Sequence, residues 1–232
     1  MLAMSLPAMA ETTHIAVAAN FTAVAETLAE LFEAETGHEA VLSFGSTGQL
    51  YAQITHAAPF DVFLAADLSR PERAIADGFA VEGSLFVYAE GRLALYGPGR
   101  DLGDGVAALR SDFSRLAIAD PGAAPYGLAA METLAALDLL ETVTPRLVQG
   151  ENIAQTLQFV ESGNAELGFV AASQVLRKGD QWLVPATLHG PISQGAVLLD
   201  AGADNAAAIA FLDFLSTEAA VAVIEAAGYS VP

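Results

Sequence analysis

The sequence predicts an α/β protein of two lobes, each a mixed sheet flanked by helices, with a cleft between the lobes. Three observations carry that expectation. Short apolar runs alternate with helical-period stretches along the 232-residue chain, which is long enough for one large core or two modest ones. Two strand signals follow one another directly around Glu90-Gly91, where a chain would cross from one lobe to the other. A further strand signal over 192–199 precedes two helical stretches, so the C-terminus is expected to return to the first lobe.

His14 begins an apolar run over 14–19 fit for a buried strand, and Val24, Leu28, Leu31 and Phe32 then recur at helical spacing until Gly37. The next unit has 40–44 as strand, Gly45-Ser46-Thr47-Gly48 as loop, and a helix whose inner face is Leu50 and Ile54. Residues 62–65 make a third strand. Ser69-Arg70-Pro71-Glu72 reads as a capping box with proline in the first turn of a helix that Gly78 ends. Strands over 85–87 and 93–95 flank the first crossing, and the second set has strands over 116–119, 147–149 and 167–170. Their helices start near Pro125, Asn152 and Ala172, and helices over 206–215 and 218–226 end the chain. The lobes are thus expected at 11–88 with 197–232, and at 89–196. Residues 1–10 close on Ala8-Met9-Ala10, a small-x-small pattern, and read as the remnant of a cleaved secretory signal.

Composition narrows the function. The hydrophobic share is 53%, but the longest stretches without Asp, Glu, Lys or Arg, 40–60 and 181–199, are interrupted by Gly, Gln, Ser and Pro. Neither reads as a membrane span. The absence of cysteine excludes disulfides, thiol catalysis, thiolate metal sites and iron–sulfur clusters. Nine basic residues against 28 acidic ones give a net charge of -19, which argues against nucleic acid or an anionic membrane surface as partner. A small anion is still compatible, because exposed charges are screened over about 8 Å while hydrogen-bond donors act at about 3 Å.

Four strand-to-helix turns could supply such donors: Ala18-Ala19-Asn20-Phe21, Phe44-Gly45-Ser46-Thr47-Gly48, Ala124-Pro125-Tyr126-Gly127 and Glu151-Asn152-Ile153-Ala154. Each places unsatisfied backbone N–H groups at a helix start, where the dipole favours an anion. One such turn is commonplace, since Ser, Thr and Asn there are usually plain N-caps. Two turns from each lobe meeting in one cleft form a stronger pattern.

The same segments carry a resemblance to the periplasmic molybdate-binding proteins of ABC transporters, members of the two-lobed periplasmic-binding-protein fold. It runs through Ala18-Ala19-Asn20-Phe21, Glu35-Thr36-Gly37-His38, Ser43-Phe44-Gly45-Ser46-Thr47-Gly48, Ala58-Pro59-Phe60-Asp61-Val62-Phe63, Ala119-Asp120-Pro121 with Ala124-Pro125-Tyr126-Gly127, Leu167-Gly168-Phe169-Val170 and Ala226-Ala227-Gly228-Tyr229. The resemblance implies ligand positions at Asn20, Thr47, Tyr126 and Ile153, with Ser46 adjacent. It also implies a periplasmic monomer that captures molybdate or tungstate, needs no cofactor, and delivers the anion to a permease and its ATPase subunits. Many members have serine at the position of Asn20 and tyrosine at that of Ala171; a subset resembles this chain at both.

Other readings of the same residues are weighed beside this one. Tyr126 can simply pack its ring, and Asn152 suits an N-cap. Asp61 and Asp67 would repel an ionised oxyanion and read as a strand-end hydrogen-bonding group and a cap. The four histidines lack metal-ligand spacing. Ser46 lacks the glycine that a nucleophile elbow needs at position 44, which is Phe44, so no enzyme is expected. A sulfate binder of the same fold or a ligand-sensing regulatory domain remain as alternatives. Donors without acceptors suit an oxyanion that carries no proton, whereas phosphate keeps one and wants a carboxylate.

Overall fold

The computed structural model describes residues 10–232. The expected signal remnant therefore falls, but for Ala10, outside the described residues. In chain order the elements are β1 (Thr12–Ala18), α1 (Thr22–Thr36), β2 (Glu39–Gly45), α2 (Thr47–Thr55), β3 (Val62–Leu64), α3 (Ser69–Ala76), β4 (Phe86–Gly91) and β5 (Leu93–Tyr96). There follow α4 (Gly105–Arg110), β6 (Leu116–Ala119), α5 (Pro125–Ala136), α6 (Leu140–Val143), β7 (Leu147–Gly150), α7 (Ile153–Glu161), β8 (Leu167–Ala171) and α8 (Ala172–Val175). The last are β9 (Gln181–Leu183), β10 (Ile192–Leu198), α9 (Ala206–Phe214) and α10 (Glu218–Ala226).

These strands form two five-stranded mixed sheets, in the orders β2-β1-β3-β10-β4 and β7-β6-β8-β5-β9. In the first sheet β1 runs parallel to β2 and β3, while β10 runs antiparallel to β3 and β4. The second repeats the plan: β6 is parallel to β7 and β8, and β5 is antiparallel to β8 and β9. Only Arg92 separates β4 from β5, so the chain changes sheets in a single residue. The return lies between Leu183 and Ile192.

Period-two alternation splits each strand between two cores. On β1, Ile15 and Val17 pack with Leu28, Phe32, Phe211 and Ile224, whereas Ala16 joins Leu50, Ile54, Phe63 and Val197 on the opposite face. The aromatic centre of the first core is Phe32, edge-on to Phe211 with ring centroids 5.2 Å apart. In the second sheet, Leu93 and Leu95 face one core and Ala94 and Tyr96 the other. The larger of these runs across the cleft, joining Ala18, Ala19 and Ala66 to Ile118, Ala124, Tyr126 and Ile153. The lobes are therefore in contact.

Two local expectations are corrected. Ser69 does not cap α3: it is the first helical residue, and the Asp67 carboxylate takes the Arg70 N–H at 3.0 Å instead, being a stronger acceptor that also pairs with the Arg70 guanidinium. The strand around 85–87 extends through Glu90-Gly91 as far as Gly91, because its pairing with β10 continues to Ile192. Asp61 sits where strands end, accepting from the His14 N–H at 2.7 Å and from Asn205 Nδ2 at 3.2 Å.

Candidate anion-binding site

Register brings the four turns together. The parallel pairing sets Ala18 beside Gly45 at the C-terminal ends of β1 and β2, and Ala119 beside Gly150 at those of β6 and β7. Ligands of open α/β sheets sit outside such strand ends. Here the ends of both sheets face one small, nearly closed gap lined by Ala18, Ala19, Asn20, Ser46, Thr47, Ala66, Ala124, Pro125, Tyr126 and Ile153. All five residues singled out from the sequence line it, and all are buried. No Asp, Glu, His, Lys or Arg is among the lining residues.

Local capping decides which N–H groups remain for a ligand. At α7 the Asn152 side chain accepts from Ala154 and Gln155 N–H, each at 3.0 Å, and leaves the Ile153 N–H at the first helical position. At α2 the Ser46 hydroxyl accepts from Gln49 N–H and the Gly48 N–H goes to the Ala123 carbonyl at 2.8 Å, which leaves that of Thr47. At α5 Pro125 has no N–H and Gly127 donates to Ala124 at 2.9 Å, which leaves that of Tyr126. The single-turn helix Ala19–Phe21 likewise begins with unsatisfied amides at Ala19 and Asn20.

Hydroxyls add directed donors. Thr47 Oγ1 accepts from the Ala66 N–H at 3.1 Å and Ser46 Oγ from Gln49 N–H at 3.4 Å, and among the described residues neither hydroxyl donates to an acceptor. The Asn20 side chain is used differently. Its Nδ2 donates to Gln194 Oε1 at 2.8 Å and to Tyr229 Oη at 3.1 Å, so its amide hydrogens are engaged beneath the cavity. Tyr229 in turn donates to the Asn20 carbonyl at 2.9 Å and meets Ser173 Oγ at 2.9 Å, while Tyr88 donates to Gln194 Oε1 at 3.0 Å. The register between β10 and β4 passes from Gln194 opposite Ala89 to Gly195 opposite Val87, so Tyr88 is the extra, bulged residue of β4 and sits beside Gln194. Burial, above all, lifts the Tyr88, Tyr126 and Tyr229 phenols above their ordinary value, and their mutual proximity adds to it for Tyr88 and Tyr126.

Sequence reading missed Gln194, Tyr88 and Ser173, which touch Asn20 or its partners from positions far along the chain. It also missed the roles of Gly127 and Gly150. A Cβ on Gly127 would lie 2.2 Å from the Ala119 carbonyl oxygen, and one on Gly150 would lie 2.9 Å from Thr156 N. Glycine lets both helix starts sit directly against the strand ends.

Residues 13–230 match the family of bacterial extracellular solute-binding proteins. The chain is 49% identical to the molybdate-binding protein ModA of Rhodobacter capsulatus, over 98% of this chain and 92% of the relative. It is 48% identical to ModA of Azotobacter vinelandii, over 97% and 92%. Among solved structures, the Azotobacter vinelandii periplasmic molybdate-binding protein superposes with a TM-score of 0.89 at 38% identity, covering 95% of this chain and 99% of that one.

Proposed function

Because the chain belongs to the bacterial extracellular solute-binding proteins, we propose that it captures molybdate or tungstate in the periplasm and hands it to an ABC importer. The observation that carries this reading is the convergence of helix starts from both lobes on one cavity that no charged residue lines. Asn20, Ser46 and Thr47 hold the anion from the first lobe, and Tyr126 and Ile153 from the second. The donors are the backbone N–H groups that capping leaves over, together with the Ser46 and Thr47 hydroxyls.

Fixed dipoles replace the anion's hydration shell without a counter-charge. Phosphate is disfavoured because no carboxylate is at hand to accept its proton. Sulfate shares charge and shape with molybdate, so size separates them. Since donors come from two lobes, the full shell exists only when the lobes are closed, and the closed form is what the permease reads.

The test is a melting-temperature panel on anion-stripped protein with molybdate, tungstate, sulfate and phosphate. A ligand at 100 times its dissociation constant stabilises by about 2.7 kcal/mol. Molybdate and tungstate are expected to give that response. A response to sulfate alone would move the assignment to sulfate, and none to any oxyanion would remove it.

A further inference from the structure

Two buried polar atoms converge on the residue where the chain is about to change sheets. Tyr126 Oη and Gln194 Nε2 have no hydrogen-bond partner among the described residues. A Cβ placed on Gly91 would lie 2.2 Å from Tyr126 Oη and 3.0 Å from Gln194 Nε2, so both pack against the bare backbone at the end of β4. Tyr126 belongs to α5 beside the second sheet, whereas Gln194 and Gly91 belong to the first sheet. Their meeting is therefore a product of lobe closure.

The hydrogens of the neighbouring groups are already committed. The Tyr229 hydroxyl and the Asn20 amide come close enough to Tyr126 Oη to act on its titration, yet neither meets it in hydrogen-bond geometry: the Tyr229 hydrogen goes to the Asn20 carbonyl and the Asn20 Nδ2 hydrogens go to Gln194 and Tyr229. The Tyr229 oxygen already faces both Asn20 Nδ2 and Ser173 Oγ. Gln194 Oε1 is shared by Asn20 and Tyr88, and that fixes its Nε2 on the Gly91 side.

We propose that the Tyr126 hydroxyl, set against Gly91 and Gln194, is an affinity-setting group that opposes closure of the lobes. With the lobes apart, the hydroxyl and the Gln194 amide are hydrated; closing strips both of water and returns no protein partner, a loss that burial makes costly. Tyr126 thus acts with opposite signs: its backbone N–H holds the anion, and its phenol keeps the empty protein open and shortens the stay of the bound ligand. The inference rests on the proposed function only in taking the anion to be bound between closed lobes.

The experiment compares Tyr126→Phe with the parent protein, with circular dichroism as folding control. Titration with molybdate should give an affinity tighter by about fivefold to hundredfold, carried mainly by slower dissociation. Tyr88→Phe is the matched variant: its hydroxyl donates to Gln194 within the same sheet, so its loss should not tighten binding. A folded Tyr126→Phe that binds molybdate equally or more weakly than the parent overturns the inference while leaving the proposed function standing. If the parent binds no oxyanion, the function fails separately. Paramagnetic relaxation between labels on the two lobes of anion-free protein then decides: an increased closed population in Tyr126→Phe sustains the inference, and an unchanged one overturns it.

Discussion

Gly48 donates its backbone N–H to the carbonyl of Ala123 at 2.8 Å, tying the start of α2 in one lobe to the loop ahead of α5 in the other. A Cβ at position 48 would lie 3.0 Å from Ala123 Cα and 3.2 Å from Arg70 Nη2, whose guanidinium also reaches the Gly122 carbonyl at 2.8 Å. Gly48→Ala is therefore expected to hold the lobes apart. An overpacking cost of about 1 to 3 kcal/mol falls on the closed form alone. Calorimetry should show molybdate affinity weakened by roughly five- to 150-fold, with the anion-free melting temperature little changed.

Thr47→Val keeps the shape of the side chain and removes a hydroxyl that both accepts from Ala66 N–H and has its own hydrogen available to a ligand. Loss of a hydrogen bond to a charged group costs about 1.5 to 3 kcal/mol, which is roughly tenfold to 150-fold in affinity. The orphaned Ala66 N–H should lower the melting temperature as well. Unchanged affinity in a titration would remove Thr47 from the site.

Ile153 separates a backbone role from a side-chain role. The residue is buried, so Ile153→Ala should cost stability by about 2 to 5 kcal/mol yet retain the N–H. Ile153→Pro fits the first helical position but deletes the donor, and should bind molybdate more weakly than Ile153→Ala by about 1.5 to 3 kcal/mol. Equal affinities in two folded variants would show that this amide is not used.

Two pH dependences follow from the titrating groups. Among the residues lining the cavity only Tyr126 ionises, and burial pushes its phenol well above the ordinary value, so molybdate affinity should be flat between about pH 6 and 9. A tenfold change in that window would mean that another ionisable group reaches the anion. Stability behaves differently. Tyr88, Tyr126 and Tyr229 have folded-state values above their unfolded one, so their contribution is fully present below about pH 10 and is lost as pH rises beyond it. The melting temperature should fall steeply in that alkaline range.

Much of the fold was legible because burial leaves a periodic trace: β1, α1, α2 and the strands of both sheets other than β9 stand where apolar period and breaker residues put them. α4, α6 and β9 were not, being 6, 4 and 3 residues long and too short for a period to show. The turns of the site were legible for a local reason, since Ser46, Pro125 and Asn152 reveal which amides a helix start will satisfy. The partners of Asn20 were hidden. Gln194 and Tyr229 lie 174 and 209 residues away in sequence, and only the place of β10 in the first sheet and the packing of the C-terminus bring them to it.

Gly127 and Gly150 have one more consequence. Because both second-lobe helices are butted against strand ends with no side chain between, the spacing of the Tyr126 and Ile153 amides is an inelastic property of the β6–β7 ladder, and widening it means shearing backbone against backbone. Such a frame behaves as a fixed gauge. Oxyanions alike in charge and symmetry differ in size, a distinction that a yielding loop would absorb and a stiff frame would convert into binding energy.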